Sequence, residues 1–89
     1  MNDGDITRFT IPPNVCGDRV RTARAMRNWS LEELAIQCNL HGVHMTKNIL
    51  SRIECKTRQV VDGELVLLAD VLDVNILWLL ELSNDFTPM

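Results

Sequence analysis

Apolar residues recur along the chain at intervals of three and four positions, which is the spacing of one face of an α-helix. The pattern predicts five helices, one over about residues 14–28 and others that begin at Ser30, Thr46, Asp62 and Asn75. No alternating run is long enough for a strand, although residues 58–61 could be extended. Residues 1–13 lack the helical period and end in Pro12-Pro13, so we expect them to form a flexible arm.

The predicted helix starts carry side chains that can cap them. Ser30 and Glu33 stand three positions apart, as in a capping box, in which the hydroxyl and the carboxylate each accept from the other residue's amide. Thr46 and Asn14 supply a similar acceptor for the third and first helices. These starts are therefore predicted from short stretches of sequence.

The apolar faces of the helices are expected to meet in one core, because an 89-residue chain has room for a single domain. We therefore predict an all-α fold, a compact five-helix bundle. The expected inward residues are Cys16, Val20, Ala23 and Met26 in the first helix, Leu31, Leu34, Ala35 and Cys38 in the second, and Ile49, Leu50 and Ile53 in the third. The fourth helix contains Leu65, Leu68, Ala69 and Leu72, and the fifth contains Leu77, Leu79, Leu80 and Leu82.

Composition indicates a folded protein, since 46% of the residues are hydrophobic and 24% are charged. No apolar run approaches the roughly 20 residues that cross a bilayer. The start of the chain, MNDGDITRF, lacks the basic beginning and apolar stretch of a signal peptide. We therefore expect a cytoplasmic protein whose three cysteines, Cys16, Cys38 and Cys55, stay reduced.

The charges are unevenly distributed, although the net charge is only -3. All nine Lys and Arg residues lie between Arg8 and Arg58, together with only four acidic residues, whereas six acidic residues and no basic one follow from Val60 onward. This excess of positive charge predicts a cationic face for a polyanion, although chance clustering on a solvated surface would look the same.

The third predicted helix has the most informative outward side. Lys47, Asn48, Ser51 and Arg52 all carry hydrogen-bonding groups near its N-terminal half. Lysine and arginine suit the O6 and N7 acceptors of guanine, and asparagine can bond adenine through N6 and N7. A solvated polar face would have a similar composition, so both interpretations stay open from this helix alone.

The segment from Val15 to Leu82 resembles the XRE-type, lambda-repressor-like helix-turn-helix family. The similarity lies in GDRVR at 17–21, Ala23-Arg24, WSLEELA at 29–35, TKNILSRIE at 46–54, Glu64-Leu65 and LADVLDVNILWLL at 68–80. The resemblance implies a helix-turn-helix domain over residues 14–83, followed by a tail at 84–89. It also implies a transcriptional regulator, a repressor, that binds double-stranded DNA with its third helix in the major groove.

The resemblance also implies roles for individual residues. Base contacts fall on the four outward residues of the third helix, which are Lys47, Asn48, Ser51 and Arg52. Phosphate contacts fall on Ser30, Thr46, Lys56 and Arg58. The family's buried ion pair between the first and third helices corresponds to Arg24 and Glu54, to which we assign a structural role.

Three features of the sequence depart from the family pattern. The connection between the second and third helices is longer than usual, which either extends the second helix or brings His41 and His44 towards the DNA backbone. Leu31 replaces a glutamine that contacts phosphate in many members, which predicts lower affinity. Lys56 replaces a glycine that often ends the third helix, so this end is either strained or built differently.

Other classes of function have weaker signals. Cys38, His41 and His44, with Cys55 as a fourth ligand, could bind zinc, but their spacing matches no strong zinc signature. The chain has no glycine-rich phosphate loop and no recognisable set of nucleophile, base and orienting acid. We therefore expect no enzymatic activity, no cofactor and no small-molecule ligand.

The main alternative is a protein-interaction or antitoxin-like regulatory module that acts through the C-terminal helix. Its residues 76–80 and Leu82 are apolar nearly all round, which favours burial against a partner. The simplest partner is a second copy of the chain, and a homodimer is compatible with DNA binding because two-fold dimers bind palindromic sites.

Overall fold

The computed structural model describes residues 14–88, so the predicted arm at 1–13 and the final Met89 lie outside the described residues. Over this range the chain forms five α-helices and no strand: α1 is Gly17–Met26, α2 is Leu31–Leu40, α3 is Lys47–Glu54, α4 is Asp62–Leu72 and α5 is Ile76–Leu79. The prediction of a compact all-α fold with five helices is thus confirmed for this part of the chain.

The starts of α2 and α3 use the caps that the sequence supplies. The Ser30 hydroxyl accepts from the Glu33 amide and the Glu33 carboxylate accepts from the Ser30 amide, both at 3.1 Å, which completes the capping box of α2. The Thr46 hydroxyl accepts from the Ile49 amide at 3.1 Å and begins α3. These bonds satisfy amides that have no partner within the helix.

The start of α1 packs against the end of α3 through main-chain atoms. The Asn14 side chain accepts from the Gly17 amide at 2.8 Å and donates to the Ile53 carbonyl at 2.7 Å and to the Arg58 carbonyl at 3.1 Å. A Cβ at position 17 would lie 2.4 Å from the Ile53 carbonyl oxygen. Only glycine therefore allows this close approach of α1 to α3.

The core lies between the inward faces of all five helices. Val20, Leu34, Leu50, Ile53 and Leu68 are fully buried. The remaining core residues include Cys16, Ala23, Cys38, Met45, Leu67, Val71, Leu72, Val74, Trp78 and Leu79.

The predicted inward position of Met26 is wrong, because this side chain is 51% exposed. Met26 is the last residue of α1, where the chain turns away towards α2. The buried face of α1 ends one turn earlier, at Ala23.

Four of the five helices are followed by a non-glycine residue with left-handed backbone angles, namely Asn28, Lys56, Asp73 and Glu81. Only α2 is followed by a glycine, Gly42, with a φ of 85°. Lys56 has a φ of 63°, so α3 ends in the strained manner expected for lysine at a position that favours glycine. A lysine in this conformation costs about 1 kcal/mol relative to glycine.

The C-terminal segment returns across α5. The Phe86 carbonyl accepts from the Asn75 amide at 3.0 Å, and the Phe86 ring meets the Trp78 ring edge-on at a centroid distance of 6.0 Å. The Arg19 guanidinium donates to the carbonyls of Trp78 and Ser83 at 2.8 and 2.7 Å. Residues 83–86 therefore belong to the folded unit.

No helix among residues 14–88 is long and apolar enough to cross a membrane.

Candidate nucleic-acid interface

The two sides of α3 differ in burial. Leu50 and Ile53 point into the core with no exposed surface. On the opposite side Lys47, Asn48 and Arg52 are exposed and Ser51 is half-buried. We call this outward set, Lys47, Asn48, Ser51 and Arg52, the α3 face. These are the four predicted base-contacting residues, and the α3 face can meet another molecule without rearrangement of the core.

The first turns of α2 and α3 lie side by side. Lys47 in the first turn of α3 pairs with Glu32 in the first turn of α2, with 3.2 Å between Nζ and Oε1. The adjacent caps, Ser30 and Thr46, are both exposed. Two helix N-termini therefore end on the same surface, and their partial positive charges and unpaired amides favour an anion there.

Lys56 and Arg58, predicted to contact phosphates, are both paired with carboxylates of this chain. Lys56 Nζ lies 2.9 Å from Asp18 Oδ2, and this hydrogen bond raises the pKa of the lysine. The Arg58 guanidinium bonds both oxygens of Glu64 at 2.8 and 2.9 Å, which raises the pKa of Arg58 and lowers that of Glu64. The Glu64 carboxylate also accepts from the Val61 amide at the start of α4.

These two pairs differ in exposure. The side chains of Lys56 and Asp18 are 40% and 69% exposed, so solvent weakens their attraction and a phosphate could replace Asp18. The side chains of Arg58 and Glu64 are only 30% and 17% exposed, and they share two hydrogen bonds. Arg58 therefore contributes to the fold, whereas Lys56 remains available to a ligand.

Arg24 and Glu54 lie next to each other between α1 and α3. Arg24 donates to Glu54 through Nε at 2.6 Å and Nη2 at 3.0 Å, and its Nη1 donates to the Trp29 carbonyl at 2.8 Å. The Glu54 side chain is 6% exposed and that of Arg24 is 17% exposed. This shielded contact joins the two helices and turns both charges away from the surface.

Two other arginines of α1 hold the C-terminal ends of helices. Arg27 donates to the Leu72 carbonyl at the end of α4 at 2.9 Å, and Arg19 donates to the Trp78 carbonyl in α5. Each cation thus meets the partial negative charge of a helix C-terminus.

Two basic residues remain free of such contacts. Among residues 14–88 only Arg21 and Arg52 form neither an ion pair nor a hydrogen bond to one of these carbonyls. The cationic face is therefore smaller than the sequence count suggests.

The first part of the long connection between α2 and α3 is helical and extends α2 to Leu40, and the rest of it packs back on the protein. His41 Nδ1 donates to the Gln37 carbonyl at 2.9 Å, and its Nε2 lies 3.5 Å from Asp70 of α4. The Asn39 side chain donates to the Met45 carbonyl, and the Met45 side chain is buried. Of the two histidines, only His44 is exposed without a contact of this kind among the described residues.

The proposed zinc ligands are separated in the structure. Cys38 is fully buried, and burial raises the pKa of its thiol to about 11. His41 is engaged with Gln37 and Asp70, and Cys55 is exposed at the end of α3. Within residues 14–88 no three His, Cys, Asp or Glu side chains come together as a metal site would require.

The C-terminal helix is less exposed than its apolar sequence suggests. Trp78 and Leu79 are buried in the core, and Phe86 and Arg19 lie against the Trp78 ring. Leu77 and Leu82 remain 41% and 72% exposed.

Comparison of the chain with protein-family models, with curated proteins and with solved structures gives no match.

Proposed function

We propose that the protein is a sequence-specific, double-stranded DNA-binding domain of the helix-turn-helix type that acts as a transcriptional repressor. The supporting observation is the α3 face, where hydrogen-bonding side chains lie exposed on a helix whose opposite side is anchored in the core. An α-helix fits the major groove of B-DNA, where lysine, arginine and asparagine distinguish base edges. The resemblance of the sequence to the lambda-repressor-like family supports the same assignment.

In this proposal α3 enters the major groove and Lys47, Asn48, Ser51 and Arg52 contact bases. The phosphate contacts come from Ser30, Thr46 and Lys56, which surround the α3 face at its start and end. The adjacent N-termini of α2 and α3 add an attraction for one phosphate. Phosphate contacts position the domain, and the base contacts select the sequence.

The experiment is selection of bound sequences from random duplex DNA, followed by salt titration of the selected site. Arg52→Ala should lower affinity for that site by about 1–3 kcal/mol and relax the preference at one base pair. Lys56→Ala should weaken binding to all sequences alike and flatten the salt dependence. An equal loss on random and selected DNA for Arg52→Ala would contradict the base contact, and the absence of any selected sequence would contradict the function.

We also propose that the domain acts as a homodimer through the exposed leucines beside α5. The Leu82 amide donates to the Leu77 carbonyl at 2.8 Å, so these two partly exposed side chains belong to one turn. A two-fold dimer would favour a palindromic site with half-sites about 34 Å apart. Sedimentation of the wild type and of Leu82→Glu tests this proposal, and a wild type that stays monomeric on its selected DNA would contradict it.

A further inference from the structure

The ion pair between Lys47 and Glu32 lies on the proposed DNA-binding surface. The two side chains are 58% and 69% exposed, so both remain largely open to solvent. Exposed pairs of this kind are weak, so a DNA group can displace either partner. The pair therefore does little for the fold, but it determines what charge the first turn of α3 presents.

On a duplex without the selected site, Lys47 has no matching base to contact and would bind a phosphate instead. A lysine that binds a phosphate releases a counterion from the DNA and contributes about 0.9 to the salt slope. Glu32 Oε1 lies only 3.2 Å from Lys47 Nζ, so the two side chains together present no net charge to a backbone that approaches them. The Glu32 carboxylate also repels phosphates directly. It repels the uncharged base edges much less, so its effect differs between the two kinds of contact.

We propose that Glu32 is a specificity-determining residue of this interface, which weakens binding to the phosphate backbone of any duplex and so makes binding depend on base contacts. This inference rests on the proposed DNA-binding function. It assigns to a carboxylate of α2 a role in choosing between backbone-only and base-contacting complexes.

The test uses Glu32→Gln, which keeps the shape of the side chain and removes its charge. Asp73→Asn is the matched control, because it makes the same change in net charge and also removes an exposed carboxylate from a basic partner, Arg27, at the end of α4. It places asparagine in a left-handed position that asparagine tolerates. The affinities of the wild type and both variants are measured for a random-sequence duplex and for the selected site between 50 and 200 mM salt, together with elution from heparin.

Glu32→Gln should bind the random duplex about three- to fivefold more tightly at 0.1 M salt, with a salt slope steeper by about 0.9. Its gain on the selected site should be smaller, and it should elute from heparin at higher salt. Asp73→Asn should show neither change. The gain should disappear when Lys47→Gln is already present, because the carboxylate acts through that lysine. Thermal denaturation of each variant shows that the folded proteins are being compared.

Other outcomes would overturn the inference. An equal gain of affinity in Asp73→Asn would mean that only net charge matters. A loss of preference at a single base pair in Glu32→Gln would make Glu32 a base contact. If the wild type binds DNA and Glu32→Gln binds it identically, this inference fails while the proposed function stands. If neither protein binds any duplex, the proposed function fails and this inference fails with it.

Discussion

The α1 side and the α3 face of the protein use their charged residues in opposite ways. On the α1 side Arg19, Arg24 and Arg27 are engaged with carbonyl groups or with a shielded carboxylate. On the α3 face both basic residues are exposed: Arg52 has no acidic partner among residues 14–88, and Lys47 is paired only with the exposed carboxylate of Glu32. A basic residue is therefore available to a ligand where it has no partner or where its partner is an exposed carboxylate, and it is unavailable where a helix end or a shielded carboxylate holds it.

This contrast predicts different consequences of substitution on the two sides. Changes among the α1 arginines and their partners should lower stability and leave the DNA affinity of the folded protein unchanged. Changes on the α3 face should lower DNA affinity and leave stability unchanged.

Glu54→Ala should give the largest loss of stability, because it leaves the Arg24 guanidinium without its partner in a shielded site. Removal of one member of a buried ion pair costs about 3–5 kcal/mol. The melting temperature should therefore fall by at least about 12 °C. Asp70→Ala, which removes an exposed carboxylate of α4, is the control and should change it little. An unchanged melting curve for Glu54→Ala would contradict the structural role.

Arg19→Met should have a moderate effect on stability. The substitution keeps an apolar chain against Trp78 and removes the hydrogen bonds to the Trp78 and Ser83 carbonyls. Hydrogen bonds that involve a charged group contribute about 1.5–3 kcal/mol, which urea denaturation can measure. Arg21→Met is the matched control on the same helix, because Arg21 is exposed, and it should change stability by less than about 0.5 kcal/mol. Equal effects of the two variants would remove the distinction between engaged and free arginines.

Asn48→Ala should affect DNA binding and not stability. Its side chain is exposed on the α3 face, so the free energy of unfolding should change by less than about 0.5 kcal/mol. Loss of a two-point contact to adenine should weaken binding to the selected site by about 1–3 kcal/mol. Calorimetry and binding measurements on the same preparation separate the two effects. A large fall in melting temperature would place Asn48 with the structural residues.

The smallest effect is expected from Glu64, as a dependence of stability on pH. The hydrogen bonds from Arg58 and from the Val61 amide hold the pKa of Glu64 below its ordinary value. The folded protein therefore binds this proton less readily than the unfolded chain does. The resulting stability is fully present above the unfolded-state pKa of about 4.3 and is lost as the pH falls through the folded pKa.

Urea denaturation between pH 7 and pH 3 measures this dependence. Glu64→Gln keeps an acceptor for the Val61 amide and should show a shallower loss of stability in acid than the wild type. Identical slopes for the two proteins would show that the pair with Arg58 does not contribute.

The helix starts and the core could be predicted from the sequence because both depend on short spacings. The bonds of Ser30 with Glu33 and of Thr46 with Ile49 span three residues. The burial of Leu50 and Ile53 follows from the helical period, and the same period places Asn48 and Arg52 on the outer side. The set of exposed candidate residues was therefore within reach of pattern analysis.

The charge partners of these residues could not be predicted, because they depend on contacts between distant parts of the chain. Arg19 bonds the Ser83 carbonyl, 64 positions away, and Lys56 meets Asp18 only because α1 and α3 are packed together. The return of Phe86 over Trp78 also has no periodic signal in its neighbourhood. For this reason the prediction from sequence overestimated the number of free basic residues in the protein, and it also overestimated the exposed apolar surface of α5.

The contact at Gly17 bears on how easily this protein could acquire a new target. The last turn of α3 is held by main-chain oxygens, which bond Asn14 and leave no space for a Cβ at position 17. Nothing in this anchorage uses the outward side chains of the helix. Under the proposed function, substitution of those side chains should therefore alter the preferred DNA sequence without tilting or shifting the helix, and the domain would be a suitable framework for libraries with altered specificity.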